Sequence, residues 1–177
     1  MTAAGRRATV ADGWTFRRSV GHAVGKRSFE IASIDEPPAP IALGDWRERV
    51  GATFAGRGVY VVTFDSPHEG EVDLSLGKVC WCAAAKLNGE DLPGRFSGPF
   101  AWRVKVRKGP NRLGVTVANL LSNAQPDEVR DRVRRDFPNG SNYERFQRPF
   151  DRLNREGGLF GPVTFRFVRP EPDYPVP

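Results

Sequence analysis

Cysteine and histidine are scarce in this 177-residue sequence, with two of each, and this limits the kinds of site it can build. Cys80 and Cys82 lie two positions apart in a segment with strand character, where extended backbone holds two thiols too far apart for an easy disulfide. We therefore expect two small buried or half-buried thiols. His22 and His68 are distant in sequence from both cysteines, so the four side chains lack the spacing of a zinc site.

Long apolar runs and a glycine-rich phosphate loop are also absent. No run approaches the ~20 apolar residues of a membrane span, so no membrane partner is predicted. The first ten residues are polar with no apolar stretch behind them, which predicts no secretory signal and, for a complete chain, a cytoplasmic location. Without a phosphate loop or alternating strands and helices, a nucleotide-binding α/β sheet is not expected.

Lysine is rare beside arginine, 5 against 22, in a chain of net charge +6. The basic residues mostly alternate with apolar ones, as on the solvated faces of strands, which does not favour nucleic acid as a partner. The two histidines stand in no nucleophile motif. Adjacent acids such as Asp35-Glu36 and Glu90-Asp91 are typical of loop charges rather than of a glycosidase pair. No catalytic residue and no cofactor is therefore predicted, and no tight Asp/Asn cluster supports a structural calcium ion.

Apolar residues at every second position are the strongest structural signal. This alternation is typical of antiparallel strands packed on one face, and it recurs in segments around residues 60–64, 72–76, 79–87, 102–106, 113–117 and 163–167. Asn88-Gly89 and Lys108-Gly109-Pro110-Asn111 are turn signals between such segments. The sequence therefore predicts an all-β jelly-roll sandwich with at least seven strands in two antiparallel sheets. Five residues are predicted to be buried in it: Tyr60, Phe64, Leu74, Val104 and Val115.

Composition and periodicity divide the chain into four parts. Residues 1–30 form a basic N-terminal segment that includes candidate first strands, and residues 31–169 form the β-sandwich domain. Within it, residues 126–156 read as an insertion with a short amphipathic helix over 127–137. Residues 170–177 form a proline-rich tail.

Six short motifs follow one another in an order known from galactose-binding-like jelly rolls. They are Leu43-Gly44-Asp45-Trp46, the segment 54–60, Leu76-Gly77-Lys78-Val79 with Leu87-Asn88-Gly89, Pro99-Phe100, Lys108–Leu113 with Val117-Ala118-Asn119, and the segment 158–163. Over about residues 40–168 the chain resembles the sugar-binding domain of family 2 glycoside hydrolases. It is especially similar to the C-terminal domain of family 106 α-L-rhamnosidase-like proteins.

The resemblance implies a carbohydrate partner and an accessory role beside a catalytic glycoside hydrolase domain. Two features depart from the family pattern: Trp81 stands where an acidic residue is common, and the 126–156 segment is longer than the usual connection. The chain has no room for the catalytic domain that such sandwiches accompany, so no catalytic carboxylate can be carried over.

A sugar site needs an aromatic platform and planar polar groups for hydroxyls. The candidates are Trp46, Trp81, Arg95, Asn119, Asn123 and Tyr143. The competing interpretation makes Trp81 a core residue and Asn119 a turn-former, and Trp102, in phase with Val104 and Val106, is expected in the core.

The sequence thus predicts a non-catalytic carbohydrate-binding or accessory module of glycoside-hydrolase type. Two alternatives stay open: a structural or protein-interaction sandwich without a sugar site, and a fragment of a larger glycoside hydrolase of α-L-rhamnosidase or β-galactosidase type. Exposure of Trp46 and Trp81 distinguishes the carbohydrate-binding module from the protein-interaction sandwich, because an open tryptophan favours a sugar ligand and a broad apolar patch favours a protein partner.

Overall fold

The computed structural model describes residues 7–24, 29–124 and 156–168. In this part of the chain there are thirteen strands and two short helices. The strands are β1 Arg7–Thr9, β2 Thr15–Val24, β3 Phe29–Ser33, β4 Ala39–Pro40, β5 Ala55–Ser66, β6 Gly70–Ser75, β7 Lys78–Cys80, β8 Cys82–Leu87, β9 Glu90–Asp91, β10 Ala101–Val106, β11 Gly109–Ala118, β12 Gly158–Gly161 and β13 Thr164–Phe167. The helices are α1, Arg47–Val50, and a 3₁₀ turn, Leu121–Ala124. The helix predicted over 127–137 and Tyr143 lie outside the described residues.

The strands form two main sheets and one small one. The larger sheet has the order β3-β2-β5-β11-β8-β9 with β4 paired to β2, the smaller has the order β1-β13-β6-β10, and β12 pairs with β7. Neighbouring strands in each sheet run antiparallel. The predicted all-β sandwich with at least seven strands in two antiparallel sheets is confirmed. Residues 7–24 contribute a strand to each main sheet.

The core lies between the inward faces of the two main sheets, as the period-two pattern predicts. Tyr60, Leu74 and Val115 are fully buried, and Trp102 and Val104 are nearly so. The prediction for Phe64 was wrong, because this side chain is only half-buried. Strand β2 pairs with β5 only over Ala55–Val61. Among the described strands, the residues of β5 after Val61 therefore have β11 as their one neighbour.

Strand register defines two ends of the sandwich. At one end, β5 begins and β11 ends, with Arg57 opposite Ala118 and Cys82 on the other side of Ala118. We call this the Trp81 end, and it carries Trp81, Arg95, Phe96 and Leu121. At the opposite end, β5 ends and β11 begins, with Ser66 opposite Gly109. We call this the cavity end, for the concavity described below.

Candidate functional site

Trp81 lies in the bend between β7 and β8. Its backbone N–H donates to the Ala118 carbonyl at 3.0 Å, which fixes the bend against the end of β11. The side chain is half-buried, and its indole Nε1 is buried without a hydrogen-bond partner. A buried N–H without an acceptor costs about 1–3 kcal/mol, and the core residue Trp46 carries a second indole N–H of this kind.

The backbone of Arg95 pairs with β8, and its side chain points into the edge of the sandwich. Its N–H and C=O both bond to Ala83, at 2.8 and 2.9 Å, so its side chain shares the inward face of that residue. The guanidinium carbon lies 5.4 Å from the ring centroid of Trp102, whose own Nε1 donates to the Pro93 carbonyl at 2.8 Å. The Arg95 Nε is buried and unpartnered, and within the described residues no carboxylate pairs with this cation.

Large apolar side chains are exposed beside these two residues. Phe96 is 87% exposed, and its carbonyl accepts a weak hydrogen bond from Cys82 Sγ at 3.9 Å. Leu121, three residues beyond the end of β11, is 45% exposed. The Trp81 end therefore combines two aromatic side chains, a half-buried cation and donors that lack acceptors.

Trp46 does not belong to this surface, contrary to its prediction as a sugar platform. It is 1% exposed, stacked parallel to Tyr60 at 6.4 Å and packed on Phe16 and Phe54 at 5.7 and 5.6 Å between ring centroids. A Cβ at Gly157 would overlap the indole, so the backbone there lies directly against the ring. We call the segment 156–161 the returning chain. No face of Trp46 is open to a sugar, and we leave it out of the site.

The predicted asparagines are also turned inward. Asn119 Oδ1 accepts from the Gly56 N–H at 2.8 Å and its Nδ2 donates to the Phe54 carbonyl at 2.7 Å. These bonds join the end of β11 to the start of β5, so the turn-forming interpretation describes Asn119 better than a hydroxyl-binding role. Asn123 is 2% exposed. Of the six predicted binding residues, Trp81 and Arg95 lie on adjoining backbone segments at the same end of the sandwich.

A cluster of charges surrounds the start of β12, where the chain returns to the sandwich. Lys78 Nζ lies 2.7 Å from Glu156 Oε2 and 4.2 Å from the Phe160 ring centroid. Asp45 pairs with Arg47; burial raises the pKa of this carboxyl, but the hydrogen bonds from Arg47 outweigh it and the net shift is downward. Burial raises the pKa of the nearby Cys80 thiol, which keeps it protonated and weakly nucleophilic.

The neighbouring carboxylates of this cluster are each held by a cation. For Asp45 this suits a structural role, because its pKa is lowered and a general acid needs a raised pKa. Cys80 is buried and Cys82 half-buried, as predicted, and both are free thiols.

A concave feature lies at the cavity end, and sequence reasoning missed it. A cavity of about 320 Å³ opens between the two sheets. Its walls come from β1 and the following loop, the end of β5, and β6, β10 and β13: Ala8, Thr9, Val10, Ala11, Asp12, Thr63, Phe64, Asp65, Ser66, Pro67, Val72, Val106, Phe165 and Phe167. Phe64 stacks on Phe165 with ring centroids 4.4 Å apart. The sequence signal that marks this place is the break of alternation at Asp12-Gly13, which delays the start of β2.

Residues 7–24, 29–124 and 156–168 hold no group of three or more His, Cys, Asp or Glu side chains suited to a metal ion. Neither of the helices in this part of the chain has the length and apolar character of a membrane span.

Comparison with known proteins finds similarity in solved structures. No protein-family model matches the sequence, and no curated protein matches it. A GH2 β-galacturonidase from Eisenbergiella tayi matches with a TM-score of 0.53 and 17% identity, over 94% of this chain and 25% of that chain. A rhamnosidase from Novosphingobium sp. PP1Y matches with a TM-score of 0.52 and 19% identity, over 93% of this chain and 16% of that chain. A β-glucuronidase from Ruminococcus gnavus has a TM-score of 0.50 and 11% identity, over 67% of this chain and 22% of that one.

These matches identify the fold. The chain has the β-sandwich fold of one part of larger glycoside hydrolases, as the resemblance in sequence implied. It spans a quarter or less of the length of these enzymes.

Proposed function

We propose that this chain is a non-catalytic carbohydrate-binding or accessory module of glycoside-hydrolase type, with its sugar site at the Trp81 end. The observation that carries the proposal is the placement of Trp81, Arg95 and the exposed Phe96 on the two backbone segments at Cys82 and Ala83, where Arg95 pairs with Ala83 and the Phe96 carbonyl accepts from Cys82 Sγ. Two of these three residues were predicted from the sequence.

The chemistry of the three side chains is complementary to a sugar. An exposed aromatic ring such as Phe96 offers flat, stiff contact area to the C–H face of a pyranose. The guanidinium of Arg95 carries five N–H donors in a planar fork, which suits paired hydroxyls or a carboxylate. The buried donors Trp81 Nε1 and Arg95 Nε lie beneath this surface and favour acceptors of ligand origin or ordered water there.

The accessory role has separate support. Glycoside hydrolysis needs two carboxyl groups of different protonation facing one sugar. Among the described residues, the carboxylates of Asp45 and Glu156 near this end are each engaged by a cation. In these larger hydrolases the matching fold spans a quarter or less of the chain, which also favours a catalytic domain as partner.

The test is a sugar-binding titration of the intact chain. We expect galactose, rhamnose, galacturonate or glucuronate to shift the amide resonances of Cys82, Ala83 and Phe96. Trp81→Ala and Arg95→Gln should weaken binding at least ~10-fold, the scale of one lost aromatic or charge-assisted contact. Arg112→Gln is the matched control, because Arg112 is exposed on β11 and its backbone alone is engaged.

The same preparation tests catalysis. We expect no turnover of aryl α-L-rhamnoside, β-galactoside or β-glucuronide above the blank. The assay is sensitive, because glycosidases accelerate hydrolysis by more than ~10⁶-fold and even a poor one would exceed the blank. Turnover that disappears when a single Asp or Glu is replaced by its amide would overturn the proposal in favour of an enzyme.

A second candidate function is docking of a protein partner. Phe96 and Leu121 favour it, because both are exposed apolar side chains at the same end of the sandwich. Absence of sugar binding, together with self-association that Phe96→Ser abolishes in light scattering, would select this alternative.

A further inference from the structure

The cavity at the opposite end of the molecule has a charge pattern of its own. Asp12 and Asp65 are its charged lining residues, and Lys, Arg and His are absent from the lining. Both carboxylates are exposed, and neither forms an ion pair within the described residues. The two charged residues of the lining are therefore both acidic, in a chain of net charge +6.

The cavity wall has an apolar, aromatic part beside its polar residues. Phe64, Phe165 and Phe167 line it together with Val72 and Val106. On β10 the basic residues Arg103 and Lys105 alternate outward and are exposed, so their charges stay off the cavity face. The Ser66 hydroxyl already donates to the His68 carbonyl, so the other polar side chains of the lining are the two carboxylates and the hydroxyls of Thr9 and Thr63.

We propose that the Phe64–Phe165 cavity, with Asp12 and Asp65 at its mouth, binds a small organic ammonium ion with an apolar body. A carboxylate only accepts hydrogen bonds, and an ammonium group only donates them. An aromatic face attracts a cation within about 6 Å of its centroid. A volume of about 320 Å³ matches the lower range of small-molecule sites.

The same features disfavour other occupants. A uronate or phosphate would meet two like charges at the mouth, and like charges in proximity destabilise a complex. A neutral sugar would place some of its hydroxyls against valine and phenylalanine side chains, and a hydroxyl buried there without a partner costs several kcal/mol on hydrocarbon scales.

The experiment compares two probes of equal shape on the full chain. 2-Phenylethylammonium and 2-phenylethanol are titrated at millimolar concentration, with affinity read from calorimetry and the site read from amide resonances. We expect the ammonium to bind about 10-fold more tightly than the alcohol, the combined scale of a cation–π contact and an exposed ion pair. Shifts should fall on residues 8–12 and 63–66 and not on Cys82, Ala83 and Phe96.

The control variants separate charge from fold. Asp12→Asn combined with Asp65→Asn keeps size and exposure and should abolish the preference for the ammonium. Glu69→Gln removes a charge from an exposed residue outside the lining and should leave the preference intact. Equal binding of the two probes, no binding of either, shifts confined to the Trp81 end, or an unchanged preference in the double variant would each overturn the proposal. None of these outcomes depends on whether a sugar binds at the Trp81 end.

Discussion

The two ends of the sandwich carry opposite kinds of unsatisfied chemistry. At the Trp81 end, donors lack acceptors: the indole N–H of Trp81 and the Nε of Arg95 are buried without partners, and Phe96 projects outward. At the cavity end, acceptors lack donors: two carboxylates stand at the mouth of a concavity whose aromatic rings face inward. One sandwich can therefore present two surfaces with different ligand preferences, because each end exposes different loops.

The two ends of the sandwich differ in how much of the chain covers the core. At the Trp81 end the returning chain packs on the core, with the Trp46 N–H donating to the Gly157 carbonyl and the Gly44 N–H donating to Leu159. At the cavity end β2 starts opposite Val61, so none of the described strands fills the space on that side of the last residues of β5. The first end is closed by chain, and the second stays open.

The largest expected effect compares one aromatic residue from each end. Trp46→Ala should lower the free energy of unfolding by about 4 kcal/mol, because it empties a fully buried site. Phe64→Ala should cost about half as much, since part of that ring already faces the cavity. Urea denaturation measures both, and equal costs would mean that the cavity closes in solution.

A second comparison uses asparagines that brace the two ends. Asn111, 1% exposed, bonds through its side chain to Arg107 N–H and C=O, the Gly109 carbonyl and Asn88 Nδ2. Asn119 makes two such bonds and is half-buried. We expect Asn111→Ala to cost about 3 kcal/mol and Asn119→Ala about 2 kcal/mol in unfolding free energy.

An exposed side chain serves as the control for these asparagines. Asp91→Ala should change unfolding free energy by less than ~0.5 kcal/mol, as is usual for surface positions. If Asn119→Ala is as mild as the control while sugar binding is lost, Asn119 has the binding role predicted from sequence.

Sequence reasoning succeeded where local pattern decides. Alternation located the strands, and Asn88-Gly89 forms the turn between β8 and β9 with φ of +53° and +93°, which these residue types tolerate. Trp102 is buried as its phase with Val104 predicted.

The failures concern contacts between distant parts of the chain. Trp46 is buried because Gly58 and Gly157, a hundred residues apart, lack the side chains that would displace its ring. The cavity depends on where β2 begins relative to β5, a matter of register that periodicity within one strand cannot specify. The contact of Arg95 with Trp102 likewise depends on how the sheet edge packs, which its position in sequence does not specify.

The third prediction concerns alkaline pH and the closed end. Burial raises the pKa of Tyr60 to about 12, above its ordinary value of 10. The folded state therefore keeps the phenol protonated while the unfolded chain ionises, so stability is complete below pH 10 and is lost as pH rises towards 12. The loss should be about 2 kcal/mol, the scale of a two-unit difference in pKa.

Tyr60→Phe isolates this effect from other alkaline titrations. The variant loses the hydrogen bond that the Leu159 N–H donates to the phenol oxygen at 3.3 Å, which lowers stability at every pH. The stability difference between the wild type and the variant should then shrink between pH 10 and 12. A constant difference would mean that Tyr60 is solvated.

The smallest expected effect concerns the ion pair that joins the returning chain to β7. Lys78 and Glu156 have side chains 53% and 41% exposed, so their attraction acts across solvent and contributes little. Lys78→Met keeps an unbranched stem over Phe160, and Glu156→Gln keeps the shape of the acid, so a double-mutant cycle isolates the charge–charge part. We expect the coupling free energy of this pair to be smaller than the other stability changes predicted here. It should fade as the salt concentration rises to ~1 M, where the Debye length falls to about 3 Å. Coupling that persists at high salt would show that the pair is shielded from solvent by chain packed over it. The return of the chain at Glu156 would then be held by a buried charge pair, and removal of residues 126–156 would destabilise the closed end far more than removal of 126–155.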